Sequence, residues 1–230
     1  MQLQVVASRK LYVQIADQIR GLVAAGTLKP GDQLPPEREL SEQLGVSRPT
    51  VREALIALEV AGIIELRMGV GAFVRHEPAA AASVPANNHS PLEIIDARML
   101  IEPHVAGLAA EGATPEAIGR LNRIVAAMRA DTEQGRWSEA ADEQLHLTIA
   151  GQCGNQTMRE LLASLWMARS EGLDTRLHQH LASLDALRWK ILADHTAIVA
   201  AVERHDPPAA RAAMAQHLDY VRQAMLQAWD

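Results

Sequence analysis

Four side chains in the second half of the chain have the types and spacing of a metal centre. Asp142 and His146 are four residues apart in a stretch of helical periodicity, so both project from one helix face. His195 falls near the middle of a later helical stretch, and His217 in the last one. Three imidazoles and a carboxylate converging from three helices of one bundle would hold a divalent ion, zinc first, with nickel or manganese as the other candidates. Such ligands must be deprotonated, so affinity is expected to fall below about pH 6. The same spacing also describes separate surface or core histidines. A centre with open positions can activate water, which makes a metal-dependent hydrolase the competing function. The sequence offers no matching general base, nucleophile constellation or cofactor loop, so no enzyme activity is expected.

A second set of residues has the chemistry of DNA reading. Pro35 and Pro36 open a short helix over Glu37–Leu44, and Gly45 stops it. Ser47 caps the next helix, which tolerates Pro49 in its first turn and runs to about Ala61. Val51, Leu55 and Leu58 recur on its buried face. Arg48 and Arg52, four apart, share another face that is expected to stay in water. Ile63–Arg67 and Ala72–Arg75 read as two strands around a turn at Met68–Gly71. Two helices joined by a tight turn, with Arg and Thr at the start of the second, form a helix-turn-helix, and the hairpin is its wing. The guanidinium fork pairs with guanine or with phosphate.

These residues must be positioned by a mainly helical chain. Leu11–Ala25 reads as an amphipathic helix with Leu11, Ile15, Ile19 and Leu22 on its apolar face. Residues 75–90, RHEPAAAASVPANNHS, lack periodicity and read as a linker. From Pro91 onward every segment reads as helix: Pro91–Glu111, Thr114–Asp131, Ser138–Cys153, Asn155–Glu171, His178–Leu184, Leu184–His205 and Pro207–Trp229. The expected organisation is a winged helix-turn-helix over 1–75, a linker over 76–90 and an antiparallel all-helical bundle over 91–230.

Composition agrees with this division. The 230 residues are 48% hydrophobic but only 3% aromatic. Residues 1–75 hold 9 basic and 8 acidic side chains, a net +1, whereas 76–230 hold 13 and 20, a net −7. A DNA-binding part so close to neutral must rely on clustered arginines and on two copies acting together. A single cysteine, Cys153, allows no internal disulfide, and neither a signal peptide core nor an eighteen-residue apolar run is present. A cytoplasmic location is the expectation.

The stretch PPERELSEQLGVSRPTVREALIALEVAGIIELRMGVGAFV resembles the winged helix-turn-helix of the GntR family of bacterial repressors. The resemblance implies DNA contacts from Arg38, Ser47, Arg48, Thr50 and Arg52, with Gly69 at the wing tip in the minor groove. Met68 departs from the polar or basic residue common there. DEQLHLTIAGQCGN and DHTAIVAAVERHDPPAARAAMAQHL resemble the metal-binding segments of the all-helical sensing domain in the FadR branch of that family. The resemblance makes Asp142, His146, His195 and His217 the ligands, and matches none of His104, His178, His180 and His205.

SPLEIIDARMLIEPHVAGLAAE resembles the first helix of the same domain, where an arginine at the position of Arg98 binds an acidic effector. The alternative is an ion pair with Glu102, four residues on. Trp166 and Arg169, within LWMAR, and Trp189, within LRWK, are further candidates for lining the cavity. These segments resemble regulators of hexuronate catabolism. The function so implied is a homodimeric repressor on palindromic operator DNA, released by a sugar acid or another small carboxylate.

Overall fold

The structure is a computed structural model and describes residues 10–67, 70–76, 90–169, 181 and 184–227. It is mainly helical, and contacts divide it into two compact units, the first built on residues up to Ser90 and the second on Pro91–Met225. Each follows from its own sequence pattern.

In the first unit, α1 (Leu11–Ala24) lies against α3 (Arg48–Val60), and α2 (Glu37–Leu44) packs on α3 as well. The buried stripe of α1 is Tyr12, Val13, Ile15, Ala16 and Ile19. Leu11 and Leu22 are exposed, which corrects the expected face by about one residue. A stripe centred on Tyr12 and Ile19 turns positions 11 and 22 outward at 100° per residue. Gly45 closes α2 with φ +65°, a left-handed conformation that glycine adopts without a Cβ clash. Ser47 then caps α3, its hydroxyl accepting from the Thr50 amide.

The strands β1 (Ile64–Arg67) and β2 (Gly71–Val74) pair antiparallel, with Ile64 opposite Val74 and Arg67 opposite Gly71. Residues 31–34 add a third extended stretch beside β2. Leu34 N–H donates to the Ala72 carbonyl, and Val74 N–H donates to that of Asp32. The sequence pattern did not announce this stretch.

The second unit contains, among the described residues, α4 (Pro91–Gly112), α5 (Pro115–Glu133), α6 (Glu139–Ala150), α7 (Gln156–Arg169), α8 (Asp185–Glu203) and α9 (Pro207–Gln227). Thr114, Ser138, Asn155 and Asp206 accept from the backbone at the starts of α5, α6, α7 and α9. α4 packs on α6, α7 and α8, and α5 packs on α6 and α8. Leu121, Leu145, Ile149, Leu192 and Ile198 are fully enclosed between them. Gly69, Met68, most of the linker and nearly all of the expected His178–Leu184 helix lie outside the described residues.

Candidate metal centre and DNA-reading surface

α6 presents Asp142 and His146 from one face, α8 brings His195 and α9 brings His217, all buried. His195 Nε2 is 3.3 Å from the Nε2 atoms of both His146 and His217, and 3.3 Å from Asp142 Oδ1. His146 Nε2 is 3.7 Å from that same oxygen. The four potential ligand atoms all lie within 4.8 Å of one another. Ligands bonded at about 2.0–2.1 Å to one tetrahedral ion sit roughly 3.3–3.4 Å apart, so the spacing fits a shared cation.

One unsatisfied atom points the same way: Asp142 Oδ1, the oxygen that faces the Nε2 atoms, is buried without a hydrogen-bond partner. A buried polar atom left so costs about 1–3 kcal/mol. One neutral imidazole carries one ring proton and cannot satisfy two facing Nε2 atoms and a carboxylate oxygen together. Burial pushes His195 down to about 3, and although Asp142 raises it, the charges of His146, Arg98 and Arg169 lower it further. Burial, reinforced by His195 and His146, also holds His217 well below the usual range. Both imidazoles are therefore neutral at neutral pH, the protonation state a metal ligand requires. Asp142 is raised by burial, but Arg169, His195 and His146 together hold it far below the usual carboxylate range.

Around the cluster lies a cage of paired charges. Arg169 Nη1 donates to Asp142 Oδ2 at 2.8 Å, leaving Oδ1 turned to the histidines. Arg98 Nε donates to Glu102 Oε1 at 2.6 Å, which is the ion pair the four-residue spacing allows. Glu102 Oε2 in turn accepts from His146 Nδ1. Burial raises the Glu102 carboxyl, but Arg98 and His146 outweigh it and hold it at about 2. Two guanidinium groups lie over the Trp166 ring, Arg98 at 4.2 Å and Arg169 at 4.4 Å from the ring centre, and its Nε1–H donates to Glu102.

Arg98, Asp142, Arg169, Arg188 and His217 line one cavity of about 20 Å³. That is room for about one water. Trp189 is corrected here: it is 40% exposed and does not line the cavity, because its position on α8 turns it away from the face carrying Arg188 and His195. His104 is likewise exposed rather than turned toward the site. Sequence reasoning missed Arg188, Trp137 and the bond from Glu102 to His146. Arg188 precedes His195 by seven residues, a same-face spacing that was available as a signal. Trp137 stacks near His195 across 6.4 Å from outside any helix, and no periodicity reports it.

On the first unit, Arg38 and Arg48 are exposed at the start of α2 and α3. The Ser47 hydroxyl is 2.8 Å from that of Thr50. Arg52 does not share the exposed face of Arg48. Only 6% of it is accessible, and its Nε and Nη2 bond the two Glu37 oxygens at 2.8 and 2.7 Å. A helical step of four residues rotates by 40°, which here is enough to carry position 52 from solvent to the α2 contact.

Residues 11–74 match the bacterial regulatory proteins of the gntR family, and residues 93–220 match the FCD domain. The chain belongs to the GntR family and is a DNA-binding transcriptional regulator with a helical FCD domain. It is 37% identical to the Uxu operon transcriptional regulator of Escherichia coli K12, over 96% of this chain and 89% of that one. It is 34% identical to the Exu regulon transcriptional regulator of the same strain, over 94% and 85%. Among solved structures, Streptococcus agalactiae GntR aligns with a TM-score of 0.50 at 26% identity, covering 93% of this chain and 99% of that one. No helix among the described residues is long and apolar enough to cross a membrane.

Proposed function

We propose that this regulator represses genes of sugar-acid catabolism and that a hexuronate, or a close derivative, releases it from palindromic operator DNA. The observation that carries the reading is one cavity lined by Arg98 together with Asp142 and His217, two members of a buried three-histidine, one-aspartate cluster. The resemblance of the chain's effector-domain segments to regulators of hexuronate catabolism supplies the effector class.

Charge favours an acid. Arg98 is balanced by Glu102 and Arg169 by Asp142 before any ion is present. A divalent ion, zinc by the preference of imidazole ligands, adds positive charge that a buried site must neutralise. Its chemistry here is that of an anchor for a carboxylate oxygen. Arg98 supplies the second half of the clamp, with a fork suited to two oxygens, and Arg169 also lies over the Trp166 ring. A cavity with room for one water cannot admit a hexuronate unless its walls move. The acid then favours the arrangement with displaced walls, and only such unequal affinity for two arrangements can change DNA binding.

In this reading Arg38, Ser47, Arg48 and Thr50 face the operator, with Gly69 at the wing tip. Arg52 supports them from within through Glu37. Residues 1–75 read DNA, 76–90 link, and 91–230 sense and dimerise in the cytoplasm. A homodimer matches a two-fold operator because its half-site spacing follows the protein symmetry. The test is operator release titrated with hexuronates, aldonates, lactate and dicarboxylates. Release by lactate or a dicarboxylate alone, with every hexuronate inert, rejects the hexuronate assignment.

A further inference from the structure

Glu102 touches both halves of the proposed sensor and belongs to neither. Its carboxylate is buried, 2% exposed, on α4. One oxygen, Oε2, accepts from Nδ1 of His146. The other, Oε1, accepts from Nε of Arg98 at 2.6 Å and from Trp166 Nε1 at 3.3 Å. An imidazole whose Nδ1–H is given to a carboxylate has its lone pair on Nε2, the atom His146 turns toward His195 and Asp142. A charged acceptor also makes that lone pair more basic and fixes the ring plane. On the other side, a guanidinium held through Nε has its terminal nitrogens oriented in one plane.

We infer that Glu102 is a shared positioning residue: one carboxylate holds His146 in its metal-binding tautomer and holds Arg98 in place for the acid. This rests on the metal and acid reading above. It gives the two binding events a common support. A substitution at Glu102 therefore weakens both, whereas loss of Arg98 alone removes only the acid's partner.

The test uses the full chain, stripped with chelator, with zinc as the metal probe and glucuronate and galacturonate as the acid probes. Zinc affinity is measured against a chromophoric competitor for wild type and Glu102→Gln. Replacing such an outer carboxylate is expected to weaken zinc binding about 10- to 100-fold. In the zinc-loaded protein, ¹⁵N-histidine spectra are expected to show a strongly downfield Nδ1 proton for His146 in wild type that moves upfield in the variant. A role confined to packing would not move that proton. The active acid is expected to bind the zinc-loaded variant at least several-fold more weakly.

Circular dichroism checks folding. If the glutamine variant does not fold, Glu102→Asp, which keeps the charge but is one methylene too short to reach both partners, carries the same measurements. Zinc binding within twofold of wild type in a folded variant, or an unmoved His146 proton, overturns the inference while leaving the metal site intact. A wild-type chain that takes up no zinc overturns the site reading itself, and this inference with it.

Discussion

Arg52→Ala separates a structural arginine from a DNA-reading one. Its guanidinium makes two bonds of 2.8 and 2.7 Å to Glu37, and the two side chains are 7% and 14% exposed. Breaking a fully buried pair by removing one partner costs about 3–5 kcal/mol, and an exposed pair contributes roughly 0.2–1. The residual exposure of Glu37, and Arg48 Nη2 at 3.9 Å from the same carboxylate, moderate the penalty. The expected loss is about 2–3 kcal/mol, between those limits. At roughly 4–8 °C per kcal/mol for a small domain, the transition of the first unit drops by about 10–20 °C. Thermal and urea melts of the full chain read this directly. Glu37→Gln combined with Arg52→Ala is expected to cost less than the two single losses together, because the second change removes a carboxylate already stranded by the first. Arg48→Ala is expected to melt like wild type and to lose about 1–3 kcal/mol of operator affinity, the value of one bidentate base contact. An Arg52→Ala protein that melts within about 2 °C of wild type but no longer recognises its operator refutes the reasoning and restores Arg52 to the groove.

Acid should unfold the second unit. His195 is held down to about 3, so the unfolded chain binds more protons than the folded one between there and the ordinary imidazole value; stability is present above pH 6.5 and lost as pH falls. Glu102, at about 2, and Asp142, lowered further, add losses with the same sign below the ordinary carboxylate range. Urea midpoints of the metal-free chain from pH 7.5 to 4 should fall steadily. A flat profile counts against a buried neutral His195. Because His195 and His217 stay neutral, they add no proton competition at pH 6, so the pH 6 onset of metal loss suggested by ordinary imidazole values should move lower. Zinc titrations at pH 7 and 5.5 test this. Gly71→Ala places a Cβ 2.7 Å from Gln33 Nε2 at φ +128°, and should destabilise the hairpin by about 1–3 kcal/mol, read by urea unfolding. Trp189→Ala should leave acid affinity within twofold by calorimetry, because that ring lies outside the cavity.

Helix existence was legible because caps and apolar spacing are local. Ser47, Thr114, Ser138 and Asp206 each mark a start that the backbone then uses. The metal-ligand candidates were legible for a related reason: Asp142 and His146 share a face by spacing, and the resemblance added His195 and His217. What the sequence withheld depends on tertiary packing. Whether Arg52 faces water or Glu37 is decided by where α2 rests on α3, not by the period of α3. The assignment of Trp189 to the cavity failed for the same reason, since a tryptophan near the right histidine says nothing about which side of α8 it occupies. Glu102 was visible as a partner for Arg98 at four residues, yet its bond to His146 spans 44 positions and has no local signal.

The central claim is that acid and metal act together at one buried site to control DNA binding. Fluorescence anisotropy tests it directly, with a labelled duplex selected by the protein from a random palindrome library. Zinc-loaded and chelator-stripped protein are each titrated with glucuronate, galacturonate and fructuronate. The account predicts that at least one hexuronate weakens operator affinity tenfold or more with zinc present, a coupling of about 1.4 kcal/mol, and that stripping the metal removes most of this effect. Equal release with and without metal, or no change with any hexuronate, would contradict it.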